Sequence, residues 1–300
     1  MITKEATEAA PTPLSVPTEA EHRPRKGKYR AWDDAPRWQI YLPLSIYLVF
    51  TLIPFYWILL FALRPAGSTS LVPWPITFEH FEKVWTERSF ATYFQNSLLV
   101  GVATLLMTTL VALAGGYALA RFDFKVKRAF MLALLCSQFV PGALLLVPLF
   151  EIFAELQMIN SLTSVIIAET VFQLPLSMIL ISNFIKNVPY TLEEAAWVDG
   201  CNRFTAFRIV VLPLLRPGLI AVGSFAFVHS WNHFLFALMF LNNQSKQTIP
   251  VGLNTLMSAD SVDLGALAAG GIIAAVPVVL VFAFIQKWLI TGFSAGAVKG

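Results

Sequence analysis

The chain has 300 residues, of which 57% are hydrophobic and only 13% charged, against about 25% charged in a soluble domain. Its apolar residues fall into runs long enough to cross a hydrocarbon core of about 30 Å as helices, which excludes an ordinary soluble domain. A net charge of +3, with no arginine-rich run interleaved with aromatics, excludes nucleic acid as a partner.

Residues 1–39 are rich in Pro, Ala, Thr and Glu up to Glu21 and then basic from Arg23 to Arg30. No short apolar run with a small-residue cleavage site follows, so no removable signal peptide is expected. The segment reads as a disordered basic tail that touches anionic lipid headgroups. Residues 40–300 read as one membrane domain of the all-α class, a polytopic protein with six transmembrane helices and a cytoplasmic helix-turn-helix. The first span is predicted over Ile40–Leu63 and ends at Arg64-Pro65. The second, Tyr93–Ala120, ends at Arg121. The third covers Ala129–Phe150, the fourth Leu162–Phe184, the fifth Leu219–Leu241 and the sixth Leu267–Ile290.

Lys and Arg are divided unevenly between the two sides these spans define. The tail carries seven, the loop after span two four, the loop after span four four and the C-terminus two, whereas the other side holds only Arg64, Lys83, Arg88 and Lys246. The basic side, with both termini, is therefore expected in the cytoplasm. Ala112, Gly116 and Ala120 on span two, and Gly270 and Ala274 on span six, have the small-residue spacing that lets helices approach closely in lipid. Prolines 54, 141, 148, 175 and 277 interrupt the spans, which a membrane tolerates where neighbours or a water-filled path satisfy the freed carbonyls. Cys136 falls in a span and Cys201 in a cytoplasmic loop, so no disulfide is expected.

The loop over residues 186–217 is the most informative segment. Thr191 followed by Glu194 predicts a capping box and a short helix, and Gly200 suits the left-handed turn that ends one. A second short helix, about Arg203 to Val211, is expected to end at Pro213 and Pro217. Ala195 and Ala196 offer a bare face flanked by Glu193, Glu194 and Asp199, with Trp197, Phe204 and Phe207 as apolar bulk. Physics alone leaves two readings open, a helix lying on the membrane and a knob that fits a socket on a cytoplasmic partner. Glu194-Ala195-Ala196, Gly200 and Val210-Val211-Leu212-Pro213 together resemble the EAA loop of ATP-binding-cassette importer permeases, with Val210 where Ile is usual. Further stretches are similar to the maltose-type carbohydrate permeases: Asn96-Ser97-Leu98, Tyr117 to Phe122, Trp231-Asn232, Ile249 to Leu253 and Ala295 to Gly300. His233 stands where an acidic residue is frequent.

The resemblance implies a permease subunit in a bacterial cytoplasmic membrane, in which Glu193, Glu194, Ala195, Ala196, Asp199 and Gly200 form a coupling helix. It implies a second, related permease, two ATPase subunits and an extracytoplasmic solute-binding protein as partners. The chain has no phosphate-binding loop, so no cofactor is expected on it; ATP and magnesium would belong to the ATPases. An enzymatic role is not expected, and an ion-coupled secondary transporter is the alternative.

Polar groups inside spans are candidates for the transport path. These are Gln138 on span three, Glu169 and Gln173 one turn apart on span four, and His229, Asn232 and His233 on span five, with Phe172, Phe227 and Trp231 as aromatic surfaces for a sugar. Asn232 reads better as a group that fixes the bundle. No metal is expected, because Ser230 stands where a helical zinc site of the metalloprotease type needs a glutamate. Glu151 and Glu155 read as solvated acids.

Overall fold

The computed structural model of the protein describes residues 36–257 and 262–297, so most of the predicted basic tail lies outside the described residues. Among those described there are helices and no strands. Contacts divide the chain at Ile53. In the first unit the described residues form the start of helix α1, Arg37–Leu63. The second unit, from Pro54, holds the end of α1 and all else.

Helix α2, Glu79–Thr86, precedes α3, Phe90–Arg121. The third span is not one helix. Helix α4, Lys127–Ser137, and helix α5, Leu146–Glu155, the latter led in by a 3-10 turn Gly142–Leu145, form a pair bent by 94°. The break falls at Pro141, whose extended backbone and missing N–H stop the helix. Helix α6, Leu162–Lys186, runs through Pro175 unbroken.

The segment after α6 contains α7, Thr191–Val198, then α8, Arg203–Ala206, a π-helical turn Phe207–Val211 and α9, Leu212–Leu214. Helix α10, Arg216–Asn232, leaves α9 at 73°. The predicted fifth span also breaks: His233 is extended, and α11 covers Leu235–Phe240. Helix α12, Ile249–Met257, and helix α13, Leu264–Ala297, complete the chain. Among the described residues four helices are long and apolar enough to cross a membrane, or up to six spans if each bent pair counts as one.

Helices α3 and α6 are packed along much of their lengths. Ala112 is fully buried, and a Cβ placed on Gly116 would stand 2.7 Å from Ile181 Cγ2 and 3.1 Å from the Met178 carbonyl. The small-residue stripe of span two therefore serves the α3–α6 contact, where dispersion at short range replaces the hydrophobic effect as the source of cohesion. Helix α4 has no buried residue. Ala112, Ile181, Ile185, Val188, Val211, Leu215 and Val222 form one cluster, so the segment after α6 is packed onto the long helices rather than tethered to them.

Both cysteines are free.

Candidate coupling helix and intramembrane polar cluster

Helix α7 starts differently from the predicted capping box. Tyr190 is the residue before the helix, no side chain caps it, and Thr191 is already its first residue. Pro189 explains the shift: it fixes the chain so that Leu192 N–H bonds to its carbonyl at 3.2 Å and the turn begins early. Gly200 ends the segment with φ of +90°, as predicted. Asn202 caps α8 by accepting from Thr205 N–H. Pro213 does not end the second helix. The helix continues from the π-helical turn through Pro213 to Leu214.

The six predicted coupling residues do not share one face. Glu194, Ala195, Asp199 and Gly200 are exposed, whereas Ala196 is buried and Glu193 is completely buried. Glu193 thus does not flank the alanine face with negative charge. Arg121 Nε donates to its Oε1 at 2.6 Å, and Tyr117 donates its hydroxyl proton to Oε2 at 2.8 Å. Arg121 also donates from Nη2 to the Val188 carbonyl at 2.9 Å and lies over the Tyr190 ring. The buried carboxylate has both oxygens paired, which the low local dielectric demands. Tyr190 packs edge-on against Trp197, over which Arg203 lies. Val198, 87% exposed, and Phe204, 73% exposed, are left as apolar tips.

Within the spans, three of the six path candidates meet. Glu169, on α6 roughly 10 Å from the helix start, is buried, with His229 Nδ1 3.3 Å from Oε2 and His233 Nδ1 2.7 Å from Oε1. The two imidazoles are stacked with centroids 5.5 Å apart, and His233 packs on Phe236. The break after Asn232 is what turns the His233 ring toward α6. Gln173 is buried, and neither of its amide atoms has a hydrogen-bond partner among the described residues. Gln138 is exposed at the break of span three and donates from Nε2 to the Phe172 carbonyl at 3.4 Å, while Phe172 packs on Phe236. Two helix breaks and a buried acid thus stand beside one another.

Asn232 is exposed and donates to the Val228 carbonyl in its own helix. The group that ties helices together is its neighbour Trp231, whose Nε1 donates to Ala274 O on α13. Trp231 and Phe227 are buried against each other, although Trp231 also edges an open cleft of about 350 Å³ with Asn232, Phe234 and Pro250. Glu151 and Glu155 are exposed.

A further cluster had no signal in the sequence because its members are about 180 positions apart. Lys83 on α2 donates to Asp263 Oδ2 at 2.9 Å, and His80 is buried nearby. Burial pushes the Asp263 carboxyl up, but the Ala266 N–H and the Lys83 ammonium outweigh it and hold the group below the usual carboxylate range.

The sequence pattern of the family described as binding-protein-dependent transport system inner membrane component matches residues 111–294. The diacetylchitobiose uptake system permease protein DasC of Streptomyces coelicolor is 36% identical over 86% of this chain and 94% of its own. The trehalose transport system permease protein SugB of Mycobacterium tuberculosis is 29% identical over 84% and 93%. The arabinooligosaccharides transport system permease protein AraQ of Halalkalibacterium halodurans is 33% identical over 76% and 81%. In solved structures, the fold matches a chain of a bacterial ABC transporter involved in the import of alginate, with TM-score 0.72 and 19% identity over 88% of this chain and 99% of that one.

Proposed function

Because this chain belongs to the family of binding-protein-dependent transport system inner membrane components, we propose that it carries a carbohydrate into the cytoplasm as one of two permease subunits of an ATP-driven importer. The cargo class is supported by the relatives, whose names specify a chitin disaccharide, a glucose disaccharide and arabinose oligomers. Two ATPase subunits bind on the basic, cytoplasmic side, where both termini lie. A solute-binding protein delivers cargo from the other side, and a second related permease closes the path.

One observation carries the coupling role: the exposed tip of α7, with Glu194, Ala195, Val198 and Asp199, stands on a root that is locked to α3 by the buried Arg121–Glu193 pair. An ATPase that closes on the tip moves the root, and the root moves the end of α3 through two charge-assisted bonds and the apolar cluster around Ile181 and Val211. Because α3 is packed closely on α6, the displacement reaches Glu169 and with it the His229–His233 pair. These three, with Gln173 and Gln138, line this subunit's half of the path.

The test is uptake of labelled sugar into proteoliposomes that hold the complete transporter. Glu194→Lys is expected to abolish ATP-dependent uptake while the permease still inserts and its thermal midpoint stays put. Uptake that persists on an ion gradient without any ATPase overturns the reading in favour of a secondary transporter.

A further inference from the structure

A cleft of about 290 Å³ lies between the end of α1, helix α2 and the first turn of α13, and no member of the Glu169 cluster lines it. Helix α2 leads into the start of α3, whereas α7 is bonded to the end of α3 through Arg121 and Glu193. The 32 residues of α3 rise about 48 Å, so the cleft and the coupling helix belong to opposite ends of it. Three polar groups face the cleft. The guanidinium carbon of Arg64 stands 4.4 Å from the Phe61 ring centroid, and Arg64 makes no ion pair among the described residues. His80 has a side chain only 7% exposed, and its Nε2 is 3.2 Å from the Arg64 carbonyl oxygen. That oxygen can only accept, so Nε2 carries the proton of this contact. Nδ1 has no hydrogen-bond partner and stands 3.9 Å from Asp263 Oδ1. Gly265 makes room for the ring, since a Cβ there would lie 2.3 Å from Nε2. Asp263, the third group, accepts from Lys83 on one oxygen and from the Ala266 N–H on the other, which leaves a lone pair on each.

A cation, a carboxylate and an open imidazole nitrogen around one cleft restrict what can fill it. Nδ1 is a lone pair on the neutral ring and a donor on the protonated one; a hydroxyl serves either state, because it both donates and accepts. A carboxylate meets Asp263 with like charge, and an ammonium meets Arg64 and Lys83 in the same way. Water satisfies the polar end but finds no partner on the Phe61 ring or Pro65, which also line the cleft, whereas the C–H face of a sugar ring packs on them. The volume is near the lower bound of about 300 Å³ for small-molecule sites, enough for a single ring. We propose that this cleft binds one ring of a neutral sugar, whose hydroxyls accept from the planar fork of Arg64, donate to Asp263 and meet His80 Nδ1. Its role as a first stop for arriving cargo rests on the permease reading above; the binding itself does not.

The test uses the complete transporter in lipid with 15N-labelled histidines, and trehalose, N,N′-diacetylchitobiose, arabinotriose and digalacturonate as probes. The His80 signal is assigned by its loss in His80→Phe. At least one neutral probe should shift that signal saturably, and digalacturonate should not. Arg64→Met keeps an apolar stem and removes the fork, while Arg64→Lys keeps the charge and removes the fork. Both should weaken the neutral probe's binding about tenfold or more, with the thermal midpoint of the sugar-free transporter unchanged. No saturable shift from any neutral probe, a larger response to digalacturonate, or wild-type affinity in both Arg64 variants overturns the site. Failure of the permease reading is separately visible as a wild-type transporter that takes up none of the four on ATP, whatever the His80 signal does.

Discussion

Arg121 and Glu193 are 72 positions apart and nearly inaccessible, so each is the other's only route to a balanced charge. Arg121→Met leaves a buried carboxylate with a single hydroxyl donor and is expected to destabilise the protein by about 3–5 kcal/mol, read as a fall in thermal midpoint in detergent. Tyr117→Phe removes one bond to the same carboxylate and should cost about 1–2 kcal/mol. The combination Arg121→Met with Glu193→Met removes both charges and should recover most of the loss in stability, yet not the uptake, because the joint then slides. Asp263 is half-buried. Its carboxyl is held below the usual range, so it contributes stability above its unfolded value of about 4, and the contribution is lost as pH falls through the lower folded value. Asp263→Asn is therefore expected to shift the thermal midpoint at neutral pH and to leave it unchanged at strongly acidic pH.

At the scale of elements, contact between α3 and α6 depends on the absence of side-chain atoms. Gly116→Leu is expected to separate the helices and lower both the folded yield and uptake, since the nearest groups to a Cβ there include the Met178 backbone carbonyl, which cannot rotate away. Gly200 is a different case. A Cβ there meets nothing within 4 Å, and the constraint is its φ of +90°. Gly200→Val should cost about 1–2 kcal/mol through backbone strain alone and reorient α7 relative to α8. Its signature is ATP hydrolysis without uptake, measured side by side in proteoliposomes. The breaks in spans three and five were marked unequally in the sequence. Pro141 signals one, whereas nothing in His233-Phe234 forbids a continuing helix. That break goes with the His233 ring reaching Glu169, a contact made by a residue 64 positions away.

For the whole molecule, the long apolar runs and the Glu194–Gly200 spacing were sufficient to reach a polytopic helical chain and the family. They work because each is local: a span's hydropathy and a turn's glycine are set by residues within about 20 positions of each other. The same spacing placed Glu169 and Gln173 on one helix face, and both are buried. What the sequence by itself could not assign is direction. Glu193 and Glu194 are adjacent acids on one short helix, yet the first is sealed beneath it and the second is open, because only the end of α3 supplies an arginine and a tyrosine at the right height. Likewise, that Glu169 meets two histidines, that Trp231 and not Asn232 ties α10 to α13, and that Lys83 reaches Asp263 all follow from the packing of helices far apart in the chain. A pairing of buried charges is decided by which partner the fold delivers, and that information resides in the tertiary structure alone.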